Sequence, residues 1–246
     1  VPLAYYPLPE IGKGEIWGMS RQKMMAGKFH FEAGLAWKGR LHAVAPDDLP
    51  KVSAGHWWNV ARTIPSSYIT TSRGQERFLF YEATAEQKPV ISAKMFQDSL
   101  LLENGFPEAV GPVVILINDG AGIRGMSRRK IPAGKPTEIA KAEFTAWSEE
   151  TVFKVCKNQW RALGMTEAEA EGIVKVWGDD LLDRLGVLVI SPMPEKLYHA
   201  MFPITIEPKP DELVRAGLVF DTLPGQEARR HWLPALDEHL RRAGAL

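Results

Sequence analysis

Val113-Val114-Ile115-Leu116-Ile117, followed by Asn118-Asp119-Gly120-Ala121-Gly122, is the most informative stretch of the chain. Five apolar residues in a row, four of them β-branched, read as a strand covered on both faces. The Asn-Asp-Gly after it reads as a tight turn, because short amides and carboxylates bond their own backbone and glycine tolerates unusual φ. Towards the N-terminus, Val90 to Met95 alternates with the period of a half-buried strand. Ser99-Leu100-Leu101-Leu102-Glu103 follows and ends at the turn signal Asn104-Gly105. Glu76-Arg77-Phe78-Leu79-Phe80-Tyr81-Glu82 reads as one aromatic strand, and Trp57 to Arg62 and Lys28 to Glu32 as two more. Strands roughly 10–15 residues apart with turn residues between them predict an antiparallel β-sandwich over 28–145.

Beyond this segment the period changes. Residues 127–145 read as a basic connector marked by Pro132, Gly134 and Pro136. Ser148 stands where a helix N-cap belongs, and Val152, Phe153, Cys156, Trp160 and Leu163 form one apolar stripe that Gly164 ends. Thr166-Glu167-Ala168-Glu169 has the capping-box pattern, and Ala170, Ile173, Val174, Trp177 and Leu181 make a second stripe. A helical hairpin is therefore predicted, then a buried strand at 186–190, a short helix at 194–201, a strand at 213–220 and a charged helix at 226–243. The fold class is α+β: an antiparallel β-sandwich with a helical hairpin and a small C-terminal αβ segment, the whole of 146–246 packing on the sandwich. Residues 1–27 form an extended arm, since Pro2, Pro7 and Pro9 fix φ and remove donors.

Composition excludes several classes. The chain has 246 residues with 45% apolar and 24% charged side chains, within the globular range. Thirty basic and thirty acidic residues cancel, so no global field draws it to nucleic acid. No apolar run reaches the roughly 18 residues of a transmembrane helix. One cysteine, Cys156, rules out an intrachain disulfide and fits either the cytosol or an exported protein without disulfides. The start at Val1, with no basic and then apolar leader, fits a removed signal or an internal boundary.

The chemical motifs are weak. Gly120-Ala121-Gly122-Ile123-Arg124-Gly125 matches G-x-G-x-x-G, but Pro132 and Gly134 leave no room for the long helix that a dinucleotide site needs, so a hairpin is expected. His30, His42, His56, His199, His231 and His239 share no metal-binding spacing, and no metal or other cofactor is expected. Asp47-Asp48 and Asp179-Asp180 are adjacent pairs that point apart rather than across a cleft. A hydrolase would draw on dispersed residues: His56, Arg62, Ser66 and Glu82. A small-ligand or metal-binding module would use Trp37, Trp57 and Trp58. A protein-binding surface would use Leu3, Tyr5, Tyr6 and Leu8 of the arm and Arg128, Arg129 and Lys130 of the connector.

Trp58-Asn59-Val60-Ala61-Arg62, Glu76 to Glu82, Gly111 to Leu116, Gly164 to Ala170 and Ile206-Glu207-Pro208-Lys209-Pro210-Asp211-Glu212-Leu213-Val214-Arg215 occur in that order. Over about residues 57–223 this pattern resembles a family of exported bacterial proteins with no assigned activity. The resemblance implies an extracytoplasmic place, periplasmic or secreted, and carries over no catalytic residue. The reading that follows is a non-enzymatic extracytoplasmic interaction protein, or an accessory subunit of a larger complex. It has a protein partner, no nucleic acid, and membrane contact only through that partner.

Overall fold

The computed structural model describes residues 2–6, 36–83 and 90–223, which divide into two compact units, 1–87 and 88–246. The division falls within the stretch expected to form one sandwich. The strand predicted at 28–32 and the helix at 226–243 lie outside the described residues.

The first unit holds strands β1 (Pro2–Tyr6), β2 (Gly39–His42), β3 (Tyr68–Thr71), β4 (Gly74–Glu76) and β5 (Phe80–Ala83), and helix α1 (Trp57–Ala61). β1 pairs antiparallel with β5, with Tyr5 opposite Tyr81, so the start of the arm is extended. β2, β3 and β4 form a separate antiparallel sheet. Two expectations are corrected here. Trp57 to Ala61 is helical rather than extended, because Nδ1 of His56 accepts the Trp58 N–H at 3.2 Å and caps the helix. The aromatic run 76–82 is broken at Arg77, whose N–H is taken by the Glu76 side chain at 2.8 Å.

The second unit carries β6 (Ile91–Met95), β7 (Ser99–Asn104), β8 (Val113–Asn118), β9 (Ile123–Arg128), β10 (Thr137–Ala140), β11 (Thr145–Trp147), β12 (Gly186–Pro192) and β13 (Leu218–Leu223). Its helices are α2 (Glu149–Arg161), α3 (Glu167–Asp183) and α4 (Glu195–Met201). A five-stranded antiparallel sheet runs β11-β9-β8-β12-β13, and a smaller one runs β10-β7-β6. Side-chain alternation along β8 and β12 divides the core in two. Val113, Ile115, Ile117, Val187 and Val189 pack with Leu100, Leu102 and Ile139 of the smaller sheet. Val114, Leu116, Leu188 and Ile190 face the other way and pack with Val152, Cys156, Trp160, Ala170 and Leu181 of the helical pair. The central strands are continuously apolar because both of their faces are covered. The class is α+β.

The helix caps follow the expected residues. Ser148 accepts the Thr151 N–H at 3.2 Å, and Thr166 and Glu169 form a reciprocal capping box. Gly164, at φ +96°, reverses the chain between the helices, a conformation that side chains disfavour. The connector is not a loop throughout: β9 continues to Arg128, β10 pairs with β7, and β11 pairs with β9. Leu213 and Val214 are exposed, and the last described strand begins at Leu218 rather than Leu213.

Gly125 of the G-x-G-x-x-G match lies inside β9, while Gly120 and Gly122 belong to the β8–β9 hairpin loop. A Cβ on Gly125 would stand 2.2 Å from the Trp147 ring, so the glycine is there to let indole lie on backbone. Gly125→Ala is expected to lower stability by about 2–3 kcal/mol through overpacking, and Gly125→Ala with Trp147→Ala to cost less than the sum of the two single changes. Urea denaturation of the three variants measures this, and strict additivity would show that the close approach does not constrain residue 125.

Candidate functional site

The residues singled out for hydrolysis lie in the first unit. Three of them, Arg62, Ser66 and His56, are used in structural bonds. Arg62 donates from Nε to both Glu76 oxygens at 3.1 and 3.2 Å, from Nη2 to Glu76 Oε2 at 2.6 Å, and to the Pro50 carbonyl at 2.9 Å. Glu76 is 0% exposed, which makes this a buried, bidentate ion pair. Arg77 donates to the carbonyls of Arg62 at 2.6 Å and Ser66 at 3.1 Å, and lies over the Tyr68 ring. The Ser66 hydroxyl donates to the Arg77 carbonyl at 3.1 Å. His56 is committed as a cap and packs edge-on against Trp58. The geometry thus joins Arg62, Ser66, Glu76 and Arg77 into one bracing network, and the Ser66 hydroxyl bonds backbone carbonyls rather than a base among the described residues. Glu82 is on β5, but its side chain lies outside the described residues.

Trp57 and Trp58 pack on each other and on Phe78, with ring centroids 5.5–6.0 Å apart, and Phe80 adds a fourth ring 5.1 Å from Trp57. These rings fill one another's space. Trp37 precedes β2 and is half-buried. Among the described residues no group of three His, Cys, Asp or Glu side chains could hold a metal ion. Cys156 is buried in the helix-side core, and desolvation pushes its thiol up to about 12, so it is held as an unreactive thiol.

The proposed protein-binding residues divide similarly. Leu3, Tyr5 and Tyr6 belong to β1, whose side chains lie outside the described residues, as does Leu8. Arg128 is paired with Glu143, whose carboxyl is held below the usual range by the Ala140 N–H and then by Arg128 itself. Arg129 and Lys130 are exposed. The backbone before them is held by the pairing of Arg128 with Val113, and the backbone after them by reciprocal bonds between Val110 and Ile131.

Two clefts of the second unit flank the segment at Ala216. The first, of about 280 Å³, is bordered by Phe106, Glu108, Leu163, Met193, Glu195 and Arg215. Its polar groups are largely engaged: Glu108 pairs with Lys196, Glu195 lies 3.4 Å from His199 Nε2, and Arg215 reaches both His199 Nδ1 at 3.2 Å and the Phe202 carbonyl at 2.6 Å. The second cleft, of about 390 Å³, lies between α3 and β13. Met165, Ile173, Trp177, Leu218 and Phe220 form its apolar walls, with Asp180 and Arg184 also lining it. Trp177 is 52% exposed, although helical periodicity had placed it on the buried stripe with Ile173 and Leu181. Position 177 is at the outer margin of that stripe, where β13 is the last strand of the sheet among the described residues and none of these covers the indole. Sequence reasoning missed the cleft for that reason; an aromatic beside Gly178 and two acids was the available signal.

No family model, no curated protein and no solved structure matches the chain. No helix among the described residues is long and apolar enough to cross a membrane.

Proposed function

We propose that this protein is a non-enzymatic interaction protein, an accessory subunit of a larger complex, and that its partner is a protein held at the cleft between α3 and β13. The exposed Trp177 beside Ile173, Leu218 and Phe220 carries this reading. A large indole on an apolar surface is the kind of residue that concentrates binding energy at interfaces. Exposed Ile204, Ile206, Leu213 and Val214, on the segment leading to β13, extend the apolar character of this region. The bracing roles of Arg62, Ser66 and His56 favour binding over hydrolysis. The extracytoplasmic place implied by the family resemblance belongs to the same proposal, with the partner in that compartment.

The test uses a photo-reactive amino acid at position 177 of the full chain, with the same group at exposed Lys94 as control. A defined partner is expected to cross-link at 177 and not at 94. Trp177→Asp should weaken that complex about 100-fold or more, in line with loss of a central aromatic anchor. It should shift Tm by no more than about 2 °C, as a surface substitution does. Equal capture at both positions, or an intact complex with Trp177→Asp, overturns the assignment.

A further inference from the structure

β13 is the last strand of the five-stranded sheet among the described residues, and the ladder shows which of its backbone groups turn away from β12. The Met193 N–H donates to the Gly217 carbonyl at 2.8 Å, in the same register that sets Ser191 opposite Val219 and Val189 opposite Asp221. Gly217 therefore turns its peptide groups towards β12. Antiparallel alternation turns those of Val219, Asp221 and Leu223 the same way, and those of Leu218, Phe220 and Thr222 outward. On one face of that outer edge, the side chains of Leu218 and Phe220 line the apolar cleft beside Trp177. On the other face, Val219 and Leu223 pack on the sheet-side core, and Asp221 stands between them, half-buried. Burial raises the Asp221 carboxyl above the usual range, with no cation facing it among the described residues.

We infer that the β13 edge takes an extended segment of the partner as an added strand, with a lysine or arginine of that segment set against Asp221 and apolar residues entering the Trp177 cleft. The inference rests on the cleft being the partner's site, and it names the partner's chemistry. Main-chain bonds to Leu218, Phe220 and Thr222 supply the attachment, and alternate side chains supply the selection. The pairing requires a cation opposite Asp221 and apolar residues opposite Phe220 and Leu218, giving the order cation, apolar, any, apolar for an antiparallel strand. The opposing view is that Asp221 is an inward charge that keeps strands away from an open edge. The two views predict opposite results.

The probe is a labelled peptide, acetyl-Ser-Thr-Lys-Ile-Thr-Ile-Ser-amide, added to the full chain, with a scrambled peptide as control. Binding to the full chain is expected at about 10–100 µM, reasonable for a short strand without preorganisation. Exchange of the amide hydrogens of Leu218, Phe220 and Thr222 should slow. N-methylation of one alternate set of peptide amides should abolish binding, while the other set tolerates it. Replacing the peptide lysine by glutamate should weaken binding about tenfold or more. Asp221→Asn should remove the preference for lysine over norleucine while leaving Tm at or above that of the parent. Thr222→Pro, which deletes an outward N–H on an edge strand, should also prevent binding. Binding unaffected by N-methylation or by Asp221→Asn overturns the strand mode; a Trp177-dependent cross-link would still leave the interaction reading standing. Binding seen only after removal of residues 224–246 assigns the edge to the chain itself and overturns the inference. Absence of binding in every form supports the blocking role of Asp221 and overturns it as well.

Discussion

Trp160→Ala is expected to lower the stability of the protein by about 3–5 kcal/mol, the range for deleting a large aromatic from a packed core. Trp160 is 0% exposed and packs between α2 and the central sheet with Val114, Leu116, Leu188 and Ile190. The neighbours come from two adjacent strands whose backbone is held by ladders on both sides. They cannot collapse into the space an indole leaves, so the cavity penalty adds to the lost transfer energy. The indole Nε1 finds no partner among the described residues. Trp160→Phe removes that orphaned donor while keeping most of the ring, and should cost less than about 1.5 kcal/mol. Urea titration followed by far-ultraviolet circular dichroism separates the two variants. Equal losses would show that the ring volume phenylalanine retains does not govern the site.

Arg62→Ala is expected to cost about 3–5 kcal/mol in the first unit, because it strands a buried carboxylate. Glu76 has no solvent contact and loses its cationic partner, keeping the Arg77 N–H at 2.8 Å. Arg62 also ties the end of α1 to the Pro50 carbonyl, so the segment before the helix loses an anchor. The double variant Arg62→Met with Glu76→Leu should recover most of the loss, since an apolar pair of similar volume replaces two charges that had to be desolvated. Denaturation read through the fluorescence of Trp57 and Trp58 reports this region. A single-variant loss below about 0.5 kcal/mol would mean that water reaches the pair and that it behaves as a surface bridge.

These two residues differ in how well they can be read before folding. Trp160 sits on a stripe with Val152, Phe153 and Cys156, and helical periodicity alone places it inside. Arg62 was singled out for its chemistry, as a candidate for catalysis. Its structural purpose depends on Glu76, fourteen residues away, and no local pattern connects them. Trp57 to Ala61 shows the same limit: the aromatic and β-branched residues favour a strand, but the His56 cap and packing on Phe78 and Phe80 make a helix. The connector at 127–145 carries turn residues throughout, yet β10 and β11 form because β7 and β9 offer edges to pair with.

Local pattern was sufficient for what depends on neighbours in the chain. The covered strand at 113–117, the Asn118-Asp119 turn, the Ser148 and Thr166 caps and the two helical stripes each rest on spacing or on a side chain reaching its own backbone. The α+β class follows from the change of period near residue 148. Tertiary structure alone decided where the sheet stops. Among the described residues, strand order leaves β13 with one neighbour, β12, and that position turns Trp177, Leu218 and Phe220 from core residues into the walls of a cleft and leaves Asp221 half-buried with no cation facing it. Edges arise from long-range pairing, which depends on residues far apart in the sequence, so the proposed binding surface comes into view only once the strands are assembled.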